Sequence, residues 1–263
     1  MNNQRAKIAI RGLEKSFGTN SVLSGLNLDV LPCESLVVIG ASGSGKSVLM
    51  RNILGLIKPD HGSIKIDGVE TVNIRRKTNE MAVKQIGVLF QNAALFDSLT
   101  IWENIAFGIL EEGYFARKEA KEEALRLLNE VGLDRDNATR YPGDISVGAQ
   151  KRVGLARAIA TKPKIVLFDE PTTGIDPIMG DIIDRLILKC VKGLGATAIT
   201  ITHDMDSARR IADRIAMIHS GKIIWVDNAE KIDNSGNQIV DQFVKGLVKD
   251  RVLTNPETGQ MPE

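Results

Sequence analysis

The sequence predicts an α/β fold with a parallel-sheet core. Three observations carry that expectation. Short apolar runs alternate with longer helical patterns along most of the 263 residues. One run, Ser35 to Ile39, is nearly all apolar, which suits a strand buried on both faces. That run leads through a Gly-rich turn straight into a helical pattern. A hydrophobic fraction of 43% is enough for a real core. The balance of 34 Lys+Arg against 33 Asp+Glu gives a net charge of +1, with no overall field to draw the chain onto nucleic acid or anionic lipid.

The elements follow in order. Lys7 to Leu13 and Leu26 to Val30 read as strands, the second with polar Asn27 and Asp29 between apolar neighbours. After Ser35 to Ile39, the helical pattern Ser47 to Ile57 is ended by Lys58, Pro59, Asp60 and Gly62. Gly62 to Gly68 alternates as a half-exposed strand, and Ile86 to Phe90 is another. From Ile101 to about Arg157 strand signal is weak, and RKEAKEEALRLLNEVGL places Ala124, Leu127, Leu128 and Val131 on one helical face, which predicts a helical insert. Strands return at Ile165 to Phe168, Ala196 to Thr202, Arg214 to Ile218 and Ile223 to Val226, in the rhythm of βαβ units. Ile239, Val240, Phe243, Val244, Leu247 and Val248 form a last helical stripe that packs on its own domain or docks a partner, before a polar, mobile tail.

No apolar run reaches the roughly 18 residues of a spanning helix, and the first residues lack the apolar stretch of a signal peptide. Cys33 and Cys190 lie far apart without C-x-x-C spacing, so neither a disulfide framework nor a structural metal is expected. The chain reads as soluble and cytosolic.

Two motifs carry chemistry. Gly40-Ala41-Ser42-Gly43-Ser44-Gly45-Lys46-Ser47 fits G-x-x-x-x-G-K-[ST] between a buried strand and a helix. Its glycines let consecutive N–H groups turn around phosphate oxygens, and the helix that continues through Val48 adds its positive end. Lys46 supplies charge to the β- and γ-phosphates, and the Ser47 hydroxyl is a ligand for Mg²⁺. The second motif, Ile165-Val-Leu-Phe-Asp169-Glu170, is an apolar strand ending in two carboxylates. Asp169 is delivered to the Mg²⁺ region, and Glu170 is placed one residue on to take a proton from an attacking water.

With these motifs come Tyr141-Pro-Gly-Asp-Ile-Ser-Val-Gly-Ala-Gln-Lys-Arg152, then Glu170-Pro-Thr-Thr-Gly-Ile-Asp-Pro177, then Ile201-Thr-His203-Asp204. In that order and spacing the chain resembles the ATP-binding cassette (ABC) ATPases, from about Lys7 to Val226. The resemblance implies a P-loop NTPase core with an antiparallel β subdomain and an α-helical subdomain. It divides the chain into residues 1–96 and 158–228 as the RecA-like ATP-binding core with its N-terminal β subdomain, 97–157 as the helical signature subdomain and 229–263 as a C-terminal extension. ATP and Mg²⁺ are the implied cofactors. By the same resemblance Phe17 stacks on adenine, the Gln91 amide holds Mg²⁺ or the lytic water, and His203 contacts the γ-phosphate. Asp176 lies at the interface of an ATP-sandwich homodimer. Ser146 and Gly148 serve the partner's ATP, in a loop where Val147 and Ala149 depart from the usual Leu-Ser-Gly-Gly-Gln and put the turnover rate in doubt.

Such a cassette drives separate integral membrane permease subunits from the cytoplasmic side. Leu95, Phe96 and Trp102 either form their docking socket or pack the helical insert. That segment and the C-terminal IVDQFVKG look like the maintenance-of-lipid-asymmetry (Mla) type. This implies a peripheral subunit of a bacterial inner-membrane phospholipid translocase, working with a periplasmic lipid-binding protein. The alternatives are an ATPase of a small-solute importer and a non-transport ABC protein acting on nucleic acid or ribosomes. Balanced charge and the absence of a second cassette, a coiled-coil insertion or zinc cysteines disfavour a nucleic-acid partner.

Overall fold

The computed structural model describes residues 5–72, 83–113 and 116–246. Its centre is a six-stranded sheet built from β3 (Ser35–Ile39), β6 (Ile86–Leu89), β7 (Ile165–Asp169), β8 (Thr197–Ile201), β9 (Arg214–His219) and β10 (Lys222–Asn228). The order is β10-β9-β3-β8-β7-β6. All neighbours run parallel except the last pair, β9 and β10. β3 and β8 are buried at every position, consistent with β-branched runs covered on both faces. A second, antiparallel sheet of order β2-β1-β4-β5 joins β1 (Ile8–Phe17), β2 (Asn20–Val30), β4 (His61–Ile66) and β5 (Val69–Glu70).

The alternation of side chains along the central strands divides the core. On one face Val166, Phe168 and Ala198 join a cluster with the helical insert, made of α2 (Ile101–Glu112), α3 (Arg117–Glu130) and α4 (Val147–Ile159), and with α5 (Pro177–Leu194). On the other, Ile165, Leu167, Ile199 and Ile201 pack with α1 (Lys46–Ile53) and the antiparallel sheet. A third cluster gathers β9, α6 (Met205–Ile211) and α7 (Gln238–Val244). Ala124, Leu127, Leu128 and Val131 are buried as their spacing predicts.

Several elements differ from the sequence reading. β1 and β2 are longer than expected and form a twisted ribbon whose register shifts near Gly12 and Gly25, so their polar halves break the apolar alternation. The first helix stops at Ile53 because Gly55 takes a left-handed backbone (φ 69°). The strand at 223–226 is not a further βαβ unit. β10 returns antiparallel to β9 through Ser220 and Gly221, both at positive φ as a two-residue hairpin requires.

Trp102, left between socket and packing, is buried in the insert core beneath Arg117 and Lys121. The C-terminal stripe packs on its own domain through Val240, Phe243 and Val244. Leu247, Val248 and the expected mobile tail lie outside the described residues. Among the described residues, no helix is long and apolar enough to cross a membrane.

Candidate active site

The Gly-rich loop bridges the end of β3 and the start of α1. Gly40 (φ 154°) leaves no room for a side chain beside the Ile218 carbonyl. A Cβ on Gly45 (φ 109°), the residue that opens α1, would press on Leu23 and the Val22 carbonyl. The loop is thus clamped between β9 and β2 and lines a cleft of about 870 Å³. Ala41, Ser42, Gly43, Lys46, Ser47 and Val48 line that cleft, and Phe17 (49% exposed) stands at its rim. Ser44 is tucked underneath, its buried hydroxyl without a partner. Lys46 is itself buried and donates to the carbonyls of Gly40 (2.7 Å) and Ala41 (2.9 Å). Burial pulls its ammonium below the usual lysine range, while Glu170 and Asp169 push it back up.

The far wall comes from the C-terminal ends of the parallel strands, where open α/β sheets hold their ligands. Gln91, Glu170 and His203 follow β6, β7 and β8 and all line the cleft. The Glu170 carboxylate ties them together. It accepts from the Gln91 amide (3.3 Å) and the Thr173 hydroxyl (3.0 Å), and its other oxygen lies 3.3 Å from His203 Nδ1. Glu170 holds a left-handed backbone (φ 45°), a strained position for a non-glycine residue. Its own N–H donates to the Ile201 carbonyl.

Asp169 sits one residue earlier with its Oδ1 buried and unpartnered. Burial first, and then the Glu170 charge, hold this carboxyl above the ordinary range. An orphaned carboxylate oxygen among Lys46, Arg51 and Lys151, next to a loop rich in phosphate donors, fits a divalent cation that arrives with a phosphate ligand. The Ser47 hydroxyl, the Gln91 amide and Asp169 are the residues able to hold it. Among the described residues no cluster of three or more His, Cys, Asp or Glu forms a metal site of its own.

Ser146, Gly148 and Asp176 do not join this cleft. Ser146 caps α4 by accepting from the Ala149 N–H (3.3 Å), and Asp176 caps α5 by accepting from the Met179 N–H (2.9 Å). The two caps are neighbours, because a Cβ on Gly148 would collide with Met179. Val147 and Ile178 are exposed beside them.

Other residues of the site escaped the sequence reading. Met205, Phe243 and Gly246 also line the cleft. Lys151 is 2% exposed and donates to the backbone carbonyls of Gln91 and Glu170 (3.3 Å to the latter). Arg157 donates to the carbonyls of Ala93 (2.6 Å) and Ala94 (2.7 Å), two consecutive residues at positive φ. The legible signal for Lys151 is a charged side chain among small residues on a helix face that also holds Gly148 and Leu155. Beyond the Gln91 loop, Asn104 is fully buried and fixes the backbone of Phe96, Leu99 and Thr100, leaving Phe96 (43% exposed) packed at a tilt against Phe107 at the surface.

A sequence model of the family described as "ABC transporter" matches residues 23–173. A probable ribonucleotide transport ATP-binding protein of Mycobacterium leprae is 35% identical over 239 residues, 91% of this chain and 69% of that one. The chloroplastic protein Trigalactosyldiacylglycerol 3 of Arabidopsis thaliana is 33% identical over 93% of this chain and 75% of its own. A methionine import ATP-binding protein of Carboxydothermus hydrogenoformans is 39% identical over 82% and 65%. Among solved structures, a dimeric post-hydrolysis state of an ATP-binding cassette bound to ADP and Pi superposes with a TM-score of 0.78 at 30% identity, covering 84% of this chain and 98% of that one.

Proposed function

The chain belongs to the ABC transporter family, whose cassettes hydrolyse ATP, and from that membership we propose that it is the ATPase subunit of a phospholipid transporter. The observation that carries the enzymatic part is the convergence of Gln91, Glu170 and His203 on the cleft above the Gly-rich loop.

The loop N–H groups and the start of α1 bind the phosphates, while Phe17 supplies an aromatic face for the adenine at the rim. Lys46 exchanges its two loop carbonyls for β- and γ-phosphate oxygens. Ser47, Asp169 and Gln91 hold Mg²⁺, which when bound offsets the negative charge of the phosphates. Glu170 accepts a proton from the water that attacks the γ-phosphorus, and the Gln91 amide orients that water. His203 donates to the γ-phosphate oxygens as the bond to the ADP oxygen breaks. The products are ADP and phosphate.

Ser146 and Gly148 at the start of α4, and Asp176 at the start of α5, complete the site of a second copy of the chain. This reading explains why they lie outside the cleft of their own protomer. Residues 1–96 and 158–228 then form the ATP-binding core, 97–157 the signature subdomain and 229–263 the extension. The Phe96–Phe107 pair is an apolar seat for a permease subunit at the cytoplasmic side of the inner membrane.

Phospholipid as cargo, with a periplasmic lipid-binding protein in the same system, is supported by the Mla-like segments and by a relative that bears the name of a glycolipid. A second reading, import of a small polar solute, is favoured by the 39% identity to a methionine import protein. Pulling out the tagged full chain with its membrane partners decides between them. Retained phospholipid and a lipid-binding partner support the first reading; a soluble solute-binding protein overturns it. In the same preparation Glu170→Gln is expected to bind ATP and stall as a closed dimer, and undiminished hydrolysis would sink the assigned base.

A further inference from the structure

Lys151 stands on the buried face of α4, where an apolar side chain of the same length would fill the space without the cost of burying a charge. Burial pulls its ammonium below the usual lysine range, with Glu170 and Asp169 pushing the other way. What the charge obtains there is two backbone carbonyls from two separate motifs, those of Gln91 and Glu170. The same helix face continues the grip at intervals of three residues. Gly154 lacks the Cβ that would strike Leu89 and Ala93, and Arg157 holds the Ala93 and Ala94 carbonyls. The Gln91 loop is thus fastened to the signature helix along 91–94, and Lys151 extends that fastening to the residue after β7.

We propose that Lys151 is a positioning residue for hydrolysis: its ammonium holds the Gln91 and Glu170 backbones to one point, so that the Gln91 amide and the Glu170 carboxylate keep their 3.3 Å contact across the reacting centre. Lys151 is buried and does not line the cleft. It acts through Gln91 and Glu170, and it links their spacing to α4, whose N-terminal end carries the cap Ser146 and then Gly148. A shift of the Gln91 loop, or of α4, therefore reaches the base through this side chain. The inference rests on the reading of Glu170 as the base.

The test uses the full chain purified with its membrane partners, comparing Lys151→Met, Lys151→Arg and Lys151→Gln with wild type and Glu170→Gln. Lys151→Met is expected to lower kcat about 10- to 100-fold while KM for ATP stays within about twofold and the melting temperature holds. Lys151→Arg, which keeps a cationic donor, is expected to recover at least about half of kcat, and Lys151→Gln to fall between. Should Lys151→Met fail to fold, the Arg and Gln variants carry the same comparison: Gln below Arg in kcat at unchanged KM supports the proposal, and equal kcat overturns it. A Lys151→Met kcat within twofold of wild type overturns it, as does a folded Lys151→Met whose loss lies in KM or is not restored by Arg. If Glu170→Gln itself turns over normally, the assignment of the base fails, whatever the Lys151 variants do.

Discussion

His203 Nδ1 lies 3.3 Å from Glu170 Oε1, although the two residues are 33 positions apart and follow different strands. The register explains the meeting. Asp169 pairs with Ile201 in the parallel ladder, so the chains leave β7 and β8 side by side and their next residues share the strand ends. Replacing His203 by Ala removes a partner of Glu170 and, on the proposed mechanism, a donor to the reacting phosphate, without touching the phosphate loop. We expect kcat to fall about 10²- to 10³-fold with ATP affinity nearly unchanged. Steady-state hydrolysis beside equilibrium ATP binding checks this; an equal loss of binding contradicts it.

Asp169 is a functional liability for the fold. Its carboxyl is held above the ordinary range by burial and then by Glu170, so the folded chain binds this proton more readily than the unfolded chain. The group therefore favours folding most below the usual carboxylate pKa of about 4, and that contribution is lost as pH rises through the elevated folded value. At pH 7.5 Asp169→Asn should raise Tm, while Mg²⁺-dependent hydrolysis is lost. The stability gain should shrink towards pH 4. Thermal melts from pH 4 to 8 read both effects, and a lower Tm at pH 7.5 refutes the reasoning.

Gly87 in β6 has an ordinary strand backbone but no space, because a Cβ would sit inside contact distance of the Ala158 carbonyl on α4. Gly87→Ala should push the sheet edge off the signature helix at a cost of about 1–3 kcal/mol. A drop of roughly 3–10 °C in Tm is expected. An unchanged melt would mean that β6 and α4 sit further apart.

The two thiols should behave oppositely. Burial pushes the Cys190 thiol up to about 11, whereas Cys33 is exposed. At pH 8 Cys190 is therefore both buried and almost wholly protonated. Iodoacetamide should add a single adduct at Cys33 in the native chain and a second only after unfolding, as intact mass and peptide mapping will read.

The part of this architecture written locally was legible. The run from Ser35 through the glycines to Ser47 gives strand, loop and helix within 13 residues, each by its own local rule. Strand direction was not legible at 223–226, since alternation is the same in parallel and antiparallel ladders; the Ser220-Gly221 pair was the available signal. Trp102 could be placed only by what covers it, two cations from α3 that sequence spacing does not bring to its ring. Lys151 shows only as a charge among the small residues of its helix, because its ligands are backbone carbonyls, which leave no pattern of residue types.

The hold of Lys46 on Gly40 and Ala41 means that the phosphate loop is already folded around an internal cation. On the proposed function, nucleotide binding is then a ligand exchange, in which this lysine trades two neutral carbonyls for phosphate oxygens. It does not have to order a disordered loop, so its conformational-entropy cost at this point is small. The association rate should accordingly be governed by diffusion and by how fast one side chain swings, with little dependence on loop folding.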